Sequence, residues 1–127
     1  MARRTAIATG PAAFLALLAL AAVALAARPA TRAERAEITR LVHHDRSGDI
    51  AHPGKVKVRK IVVSTKAPWA SAELAEHFSG EAGADIAGAL FKRRDGRYRL
   101  VRVGSDALGC GLISNAVSEE LGLGRCP

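Results

Sequence analysis

Two arginines open the chain and an apolar run follows. Arg3 and Arg4 precede the stretch from Ala12 to Ala26, whose end, Ala24-Leu25-Ala26, has the small-x-small form that a signal peptidase cuts. The pattern predicts a secretory leader over residues 1–26, cleaved between Ala26 and Ala27, with Thr31-Arg32-Ala33 as a weaker second site. Counting Ile7 and Ala8, the segment reaches about 20 residues, enough to span a bilayer, so an uncleaved anchor is the competing reading. Gly10 and Pro11 interrupt that span, and alanine is a weaker membrane former than leucine, which favours cleavage. Arg3-Arg4 is half of a twin-arginine signal, and no cysteine lies near the cut to take a lipid.

Beyond the leader the period changes to that of an amphipathic helix. Thr31 with Glu34 three residues on is a capping box, and Ile38, Leu41 and Val42 form one apolar stripe, which predicts a helix over 31–46 stopped by Gly48. Asp45 to Gly54, with Pro53-Gly54, is expected to be a loop. Val56 to Val63 is rich in β-branched residues and is expected to be a strand; its alternation slips before Ile61-Val62-Val63, so a bulge or full burial is expected there. Trp69 to Phe78 fits a helix through Leu74 and Phe78, but Pro68-Trp69 and the small neighbours favour a strand. Ser79 to Gly83 follows as a loop. Asp95-Gly96 supplies the two positive φ angles of a type I′ turn, which predicts a hairpin of 86–94 with 97–103. A two-residue turn fixes the pairs Arg94/Arg97, Arg93/Tyr98, Lys92/Arg99, Phe91/Leu100 and Leu90/Val101. A last helix over 115–121, capped by Ser114 or Asn115 and ended by Gly122, is under two turns and too short to stand alone. The sum is one α+β domain over 27–127: an N-terminal helix packed on a three- or four-stranded antiparallel meander sheet, with a short C-terminal helix.

Composition adds the compartment. Two cysteines, Cys110 and Cys126, in an exported chain are expected to form a disulfide, which would staple the short helix. The sharper alternative, Cys110 as a nucleophile with a histidine base, requires a thiol kept reduced outside the cell, and no histidine neighbours it. Of the 19 Lys and Arg, Arg3 and Arg4 belong to the leader, leaving 17 against 12 Asp and Glu, a net charge of about +5 on about 101 residues. Abundant Ala, Arg and Gly points to a GC-rich bacterial genome.

Trp69 after the first strand, the Arg97-Tyr98 hairpin arm leading to Gly104, Gly109-Cys110 and the terminal Leu121-Gly122-Leu123-x-x-Cys126 together form a pattern that resembles small, secreted, uncharacterised proteins of actinobacteria. The resemblance covers most of the chain beyond the leader. It implies export and the disulfide, and no particular chemistry.

Three clusters bear on function. His43, His44, Asp45, Asp49 and His52 have the donor types of a zinc or copper site, but their spacing matches no metal motif, and adjacent histidines on a helix diverge by about 100°. A solvated helix end is expected, with no metal and no cofactor; Asp45-x-x-Gly48-Asp49 also lacks the ligand alternation of a calcium loop. Lys92, Arg93, Arg94, Arg97 and Arg99 crowd the hairpin tip around Tyr98, a candidate anion-binding group, with Lys55, Lys57, Arg59 and Lys60 as a possible extension of one basic face. The plainer reading is a solvated edge that discourages strand-to-strand aggregation. Trp69 and Tyr98 are expected to pack in the core rather than anchor a binding surface.

No nucleophile elbow, phosphate loop or zincin helix occurs, and no acid–base pair stands out, so no enzymatic role is expected. Nucleic acid is a poor partner for an exported domain with few aromatics. The expectation is an exported, non-enzymatic binding or structural module at the cell envelope or outside the cell, with an anionic envelope component or a protein as partner; contact with the membrane would follow from a retained leader. A secreted inhibitor of a hydrolase is the alternative.

Overall fold

The structure, a computed structural model, describes residues 27–76 and 85–127. The expected leader and its cleavage site, His77 and Phe78 of the third run, and the expected loop at 79–83 lie outside the described residues. Among the described residues, five strands form one antiparallel sheet in the order β1 to β5: β1 Arg28–Pro29, β2 Lys57–Val63, β3 Trp69–Glu76, β4 Asp85–Arg94 and β5 Arg97–Gly104. Helix α1, Arg32–His43, lies between β1 and β2 in the chain, and α2, Asn115–Glu120, follows the sheet. Among the described residues no helix is long and apolar enough to cross a membrane.

The strand count exceeds the expected three or four because Arg28 and Pro29 pair with Val63 and Val62. A two-residue strand carries no period to read. Trp69–Glu76 is a strand, held on both sides by β2 and β4.

Helix α1 begins where the capping box places it. Glu34 N–H donates to Thr31 Oγ1 at 3.2 Å, and Thr31 N–H donates to Glu34 Oε1 at 3.0 Å. Thr31→Ala is therefore expected to cost about 1 kcal/mol, read as a lowered midpoint in urea. The helix ends three residues before the expected Arg46. Asp45 takes the N–H and hydroxyl of Ser47, at 3.3 and 2.7 Å, and this local turn competes with the next helical hydrogen bonds.

Strand alternation divides the core in two. Ile38 and Val42 of α1 are fully buried against one sheet face, among Val63, Ala70, Leu74, Phe91 and Tyr98. On the other face Trp69 and Leu90 pack beneath Leu108, Val117 and Leu121 of the C-terminal segment. Burying both faces is what turns an amphipathic sheet into the middle layer of a domain.

Two bulges adjust this sheet. In β2, Lys60 adopts φ 49° and the register shifts between Arg59 and Val62, so the slip in the sequence is a bulge. In the hairpin, Asp95 and Gly96 have φ of 53° and 75°, as a type I′ turn requires, and the four pairs from Arg94/Arg97 to Phe91/Leu100 form as expected. The fifth does not: Leu90 pairs with Arg102, and Val101 is the exposed extra residue. The bulge turns Arg102 toward the C-terminal segment, where its Nη1 donates to the carbonyls of Leu108 and Cys110 at 3.3 and 2.9 Å.

Candidate anion-binding face

Because the side-chain period of a strand is two, the pairs Lys92/Arg99 and Arg94/Arg97 project from the same sheet face, the one shared with Trp69 and Leu90. Directly opposed Cβ atoms in a sheet lie about 5 Å apart and positions two along a strand about 7 Å apart. Four cations thus form a compact grid at one end of the sheet. Arg94, Arg97 and Arg99 are exposed, while Lys92 is half-buried with its Nζ 5.3 Å from the centre of the Trp69 ring. Among the described residues none of the four makes an ion pair with a carboxylate. Arg93 leaves the expected group, since it pairs with Tyr98 and therefore projects from the α1 face.

Lys55, Lys57, Arg59 and Lys60 do not extend this grid. Lys57 pairs with Ala75, and Ala75 with Ile86, six residues down β4 from Lys92, or about 20 Å at the rise of a strand. Arg59 and Lys60 are engaged by Glu73 at 2.7 and 3.2 Å. The Lys60 hydrogen bond holds the Glu73 carboxyl below its usual range despite partial desolvation, with Arg59 adding to the effect.

The grid sits on a braced platform. Behind it, Glu34 receives Arg28 through both guanidinium nitrogens, at 2.6 and 3.0 Å, and the Tyr98 hydroxyl at 2.7 Å. Glu37 accepts the backbone N–H of Tyr98 at 2.8 Å, which satisfies a donor on the β5 edge. Both edge strands thereby reach one carboxylate of α1. Chiefly through the Arg28 hydrogen bond, the Glu34 carboxyl is lowered to about 2, and burial followed by the Glu34 interaction raises the Tyr98 phenol to about 12.

Beside the grid, the turn between β2 and β3 is clamped. The Glu120 carboxylate accepts from the Ser64 hydroxyl, and from Thr65 N–H and Thr65 Oγ1, each at 2.9 Å. Ser64 Oγ in turn accepts from the N–H groups of Lys66 and Ala67 at 3.0 and 3.1 Å. Burial alone would raise the Glu120 carboxyl, but the Ser64 and Thr65 donors outweigh it and hold it below its usual value. The two turns are tied together by Arg93 N–H donating to the Pro68 carbonyl at 2.8 Å.

Sequence reasoning named the hairpin cations and missed these clamps. Glu34 was legible as a capping residue, but its second and third partners come from residues 28 and 98. Glu120 carried no local signal.

The histidine cluster resolves into local structure. His43 Nε2 lies 2.8 Å from the Val56 carbonyl, which fixes a proton on that nitrogen, and Asp45 serves the Ser47 turn. Among the described residues no three His, Cys, Asp or Glu side chains are grouped to hold a metal ion. The disulfide is present: Cys110 and Cys126 are bonded, with Cα atoms 5.5 Å apart. Trp69 and Tyr98 are both buried. No protein-family model, no curated protein and no solved structure matches the chain.

Proposed function

We propose that this is an exported, non-enzymatic binding module of the cell envelope or extracellular space, and that the grid of Lys92, Arg94, Arg97 and Arg99 is its contact with a polyanionic surface. The observation that carries the reading is the pairing itself. Like charges directly opposed across strands oppose folding, yet two such pairs stand side by side on a braced platform with no carboxylate partner among the described residues. A bound polyanion relieves that repulsion. The four carboxylates that hold the platform and its neighbours, those of Glu34, Glu37, Glu73 and Glu120, are all engaged by protein donors, which leaves the cations facing outward. Export is the reading of the leader expected from the sequence, and the disulfide is compatible with it.

The test is co-sedimentation with phosphatidylglycerol-containing vesicles and with isolated wall material in rising salt. Binding is expected to weaken as salt screens it. Arg94→Ser with Arg97→Ser is expected to weaken it about 25-fold, at about fivefold for each cation removed near an anionic surface. Binding unchanged by both replacements sinks the reading.

The clamped turn supports a second reading, that of a secreted hydrolase inhibitor. Thr65, Lys66 and Pro68 are exposed on a loop held by five hydrogen bonds from Glu120 and Ser64, and a preorganised loop loses little entropy on binding. Capture of one hydrolase in stoichiometric amount, insensitive to replacement of Arg94 and Arg97, would select this reading over the first.

A further inference from the structure

We propose that the outer face of α1 is a second anionic-surface contact, and that the protein bridges two anionic bilayers. The inference rests on the anion-binding reading of the hairpin grid for one end of the bridge, and on separate residues for the other. Each of Arg32, Arg35, Ala36, Thr39, Arg40 and His43 lies three or four residues from another of the set, so they share one side of α1. They line a shallow cavity of about 450 Å³ to which no acidic side chain contributes. The two carboxylates of the helix, Glu34 and Glu37, are turned toward Arg28 and the hairpin. Among the described residues, Arg32, Arg35 and Arg40 make no ion pair.

This stripe presents no large apolar side chain, since Ala36 and Thr39 form its middle. An amphipathic helix that inserts into a membrane needs an exposed apolar face; here the apolar side, Ile38 and Val42, is already buried in the core. Contact with a bilayer is therefore confined to the headgroups, where charge complementarity acts.

The geometry makes the two surfaces independent. Helix α1 covers the sheet face that carries Phe91 and Tyr98, whereas the hairpin grid shares the opposite face with Trp69 and Leu90. Facing apart, they cannot both lie on one flat membrane. Two vesicles satisfy both.

The experiment uses the purified protein with its disulfide intact and vesicles of phosphatidylglycerol with phosphatidylcholine, measuring bound protein by flotation and clustering by light scattering. The protein is expected to bind and to cluster these vesicles, reversibly with salt, and to leave pure phosphatidylcholine vesicles dispersed. Arg32→Ser with Arg35→Ser and Arg40→Ser replaces exposed side chains; an unchanged thermal midpoint will show that the fold is intact. That variant should still float with the vesicles through its hairpin, while the scattering rise falls at least tenfold. Clustering equal to that of the parent overturns the bridge, as does a parent that binds without clustering. A parent that does not float with the vesicles overturns the bridge and removes a bilayer as the partner of the hairpin grid, whose own reading is then decided by the wall-material arm of its test; the flotation arm separates that result from the other two.

Discussion

Replacing Cys110 and Cys126 with serine is expected to lower the stability of the protein by about 3 kcal/mol, the chain-entropy value for a loop of this length, and its thermal midpoint by about 15 °C. The loss should be concentrated in one layer. Helix α2 has six residues, below the length at which a helix persists by itself, and the bridge joins the segments before and after it across 16 positions. Its other side-chain ties include Ser71 Oγ donating to the Leu121 carbonyl at 3.2 Å, Ser118 Oγ donating to the Gly124 carbonyl, Cys126 N–H donating to Asn115 Oδ1 at 3.0 Å, and Glu120 on the β2–β3 turn, while Arg102 holds the carbonyls of Leu108 and Cys110 ahead of it. Without the bridge, Val117 and Leu121 can lift from Trp69, while Arg102 still holds the Leu108 carbonyl.

Trp69 is the single tryptophan of the chain and is 9% exposed, so its fluorescence reports this layer alone. The serine variant should show red-shifted emission with a largely preserved far-ultraviolet sheet signal, because the α1 side of the core has its own cluster. Faster hydrogen exchange at Thr65 should accompany it, as Glu120 is carried by the released segment. Unchanged emission and an unchanged midpoint would show that the bridge does not hold the cap.

What was legible in the sequence follows the range of the forces involved. The cap at Thr31, the turn at Asp95-Gly96 and the stop at Gly122 are set by neighbours within a few residues, and each is where the sequence places it. The slip before Ile61 was legible as either a bulge or full burial because alternation failed within one strand, and the register with β3 makes it a bulge. The second bulge, at Val101, was not legible: Leu100-Val101-Arg102-Val103 alternates well enough, and the shift follows from Arg102 reaching the carbonyls of Leu108 and Cys110. The same distinction applies to the candidate site. Its cations could be counted along the hairpin, and the turn fixed which of them face each other. That Lys57 stands about 20 Å and Arg59 about 13 Å along the strands from the level of Lys92 follows from the β2–β3 and β3–β4 registers, and those are set across the sheet.

Replacing Glu34 is expected to have an effect as large as losing the disulfide, and one that depends on pH. Its side chain is 14% exposed, and it joins β1, the N-terminus of α1 and β5 through Arg28, Thr31 and Tyr98. Alanine would leave the Tyr98 hydroxyl without its acceptor in a residue that is 4% exposed, a cost of about 1–3 kcal/mol by itself, and would also undo the capping box. The acid limb of stability carries the same signature. Lowering the Glu34 carboxyl from 4.5 to about 2 is equivalent to stabilisation on the order of 3 kcal/mol. That contribution is fully present above pH 4.5, where the unfolded chain has released its proton, and is lost as pH falls from there to about 2. The stability gap between the parent and Glu34→Ala, measured in urea, should therefore be widest near neutrality and should narrow over that acid range. On the alkaline side the sign reverses: the unfolded phenol ionises near 10 but folded Tyr98 only near 12, so stability falls between these values. Tyr98→Phe should flatten the alkaline limb while the Arg28 and Thr31 bonds of Glu34 preserve most of the acid one. A gap that stays constant from pH 7 to 2 would show that the Glu34 charge does not hold the two edges of the sheet together.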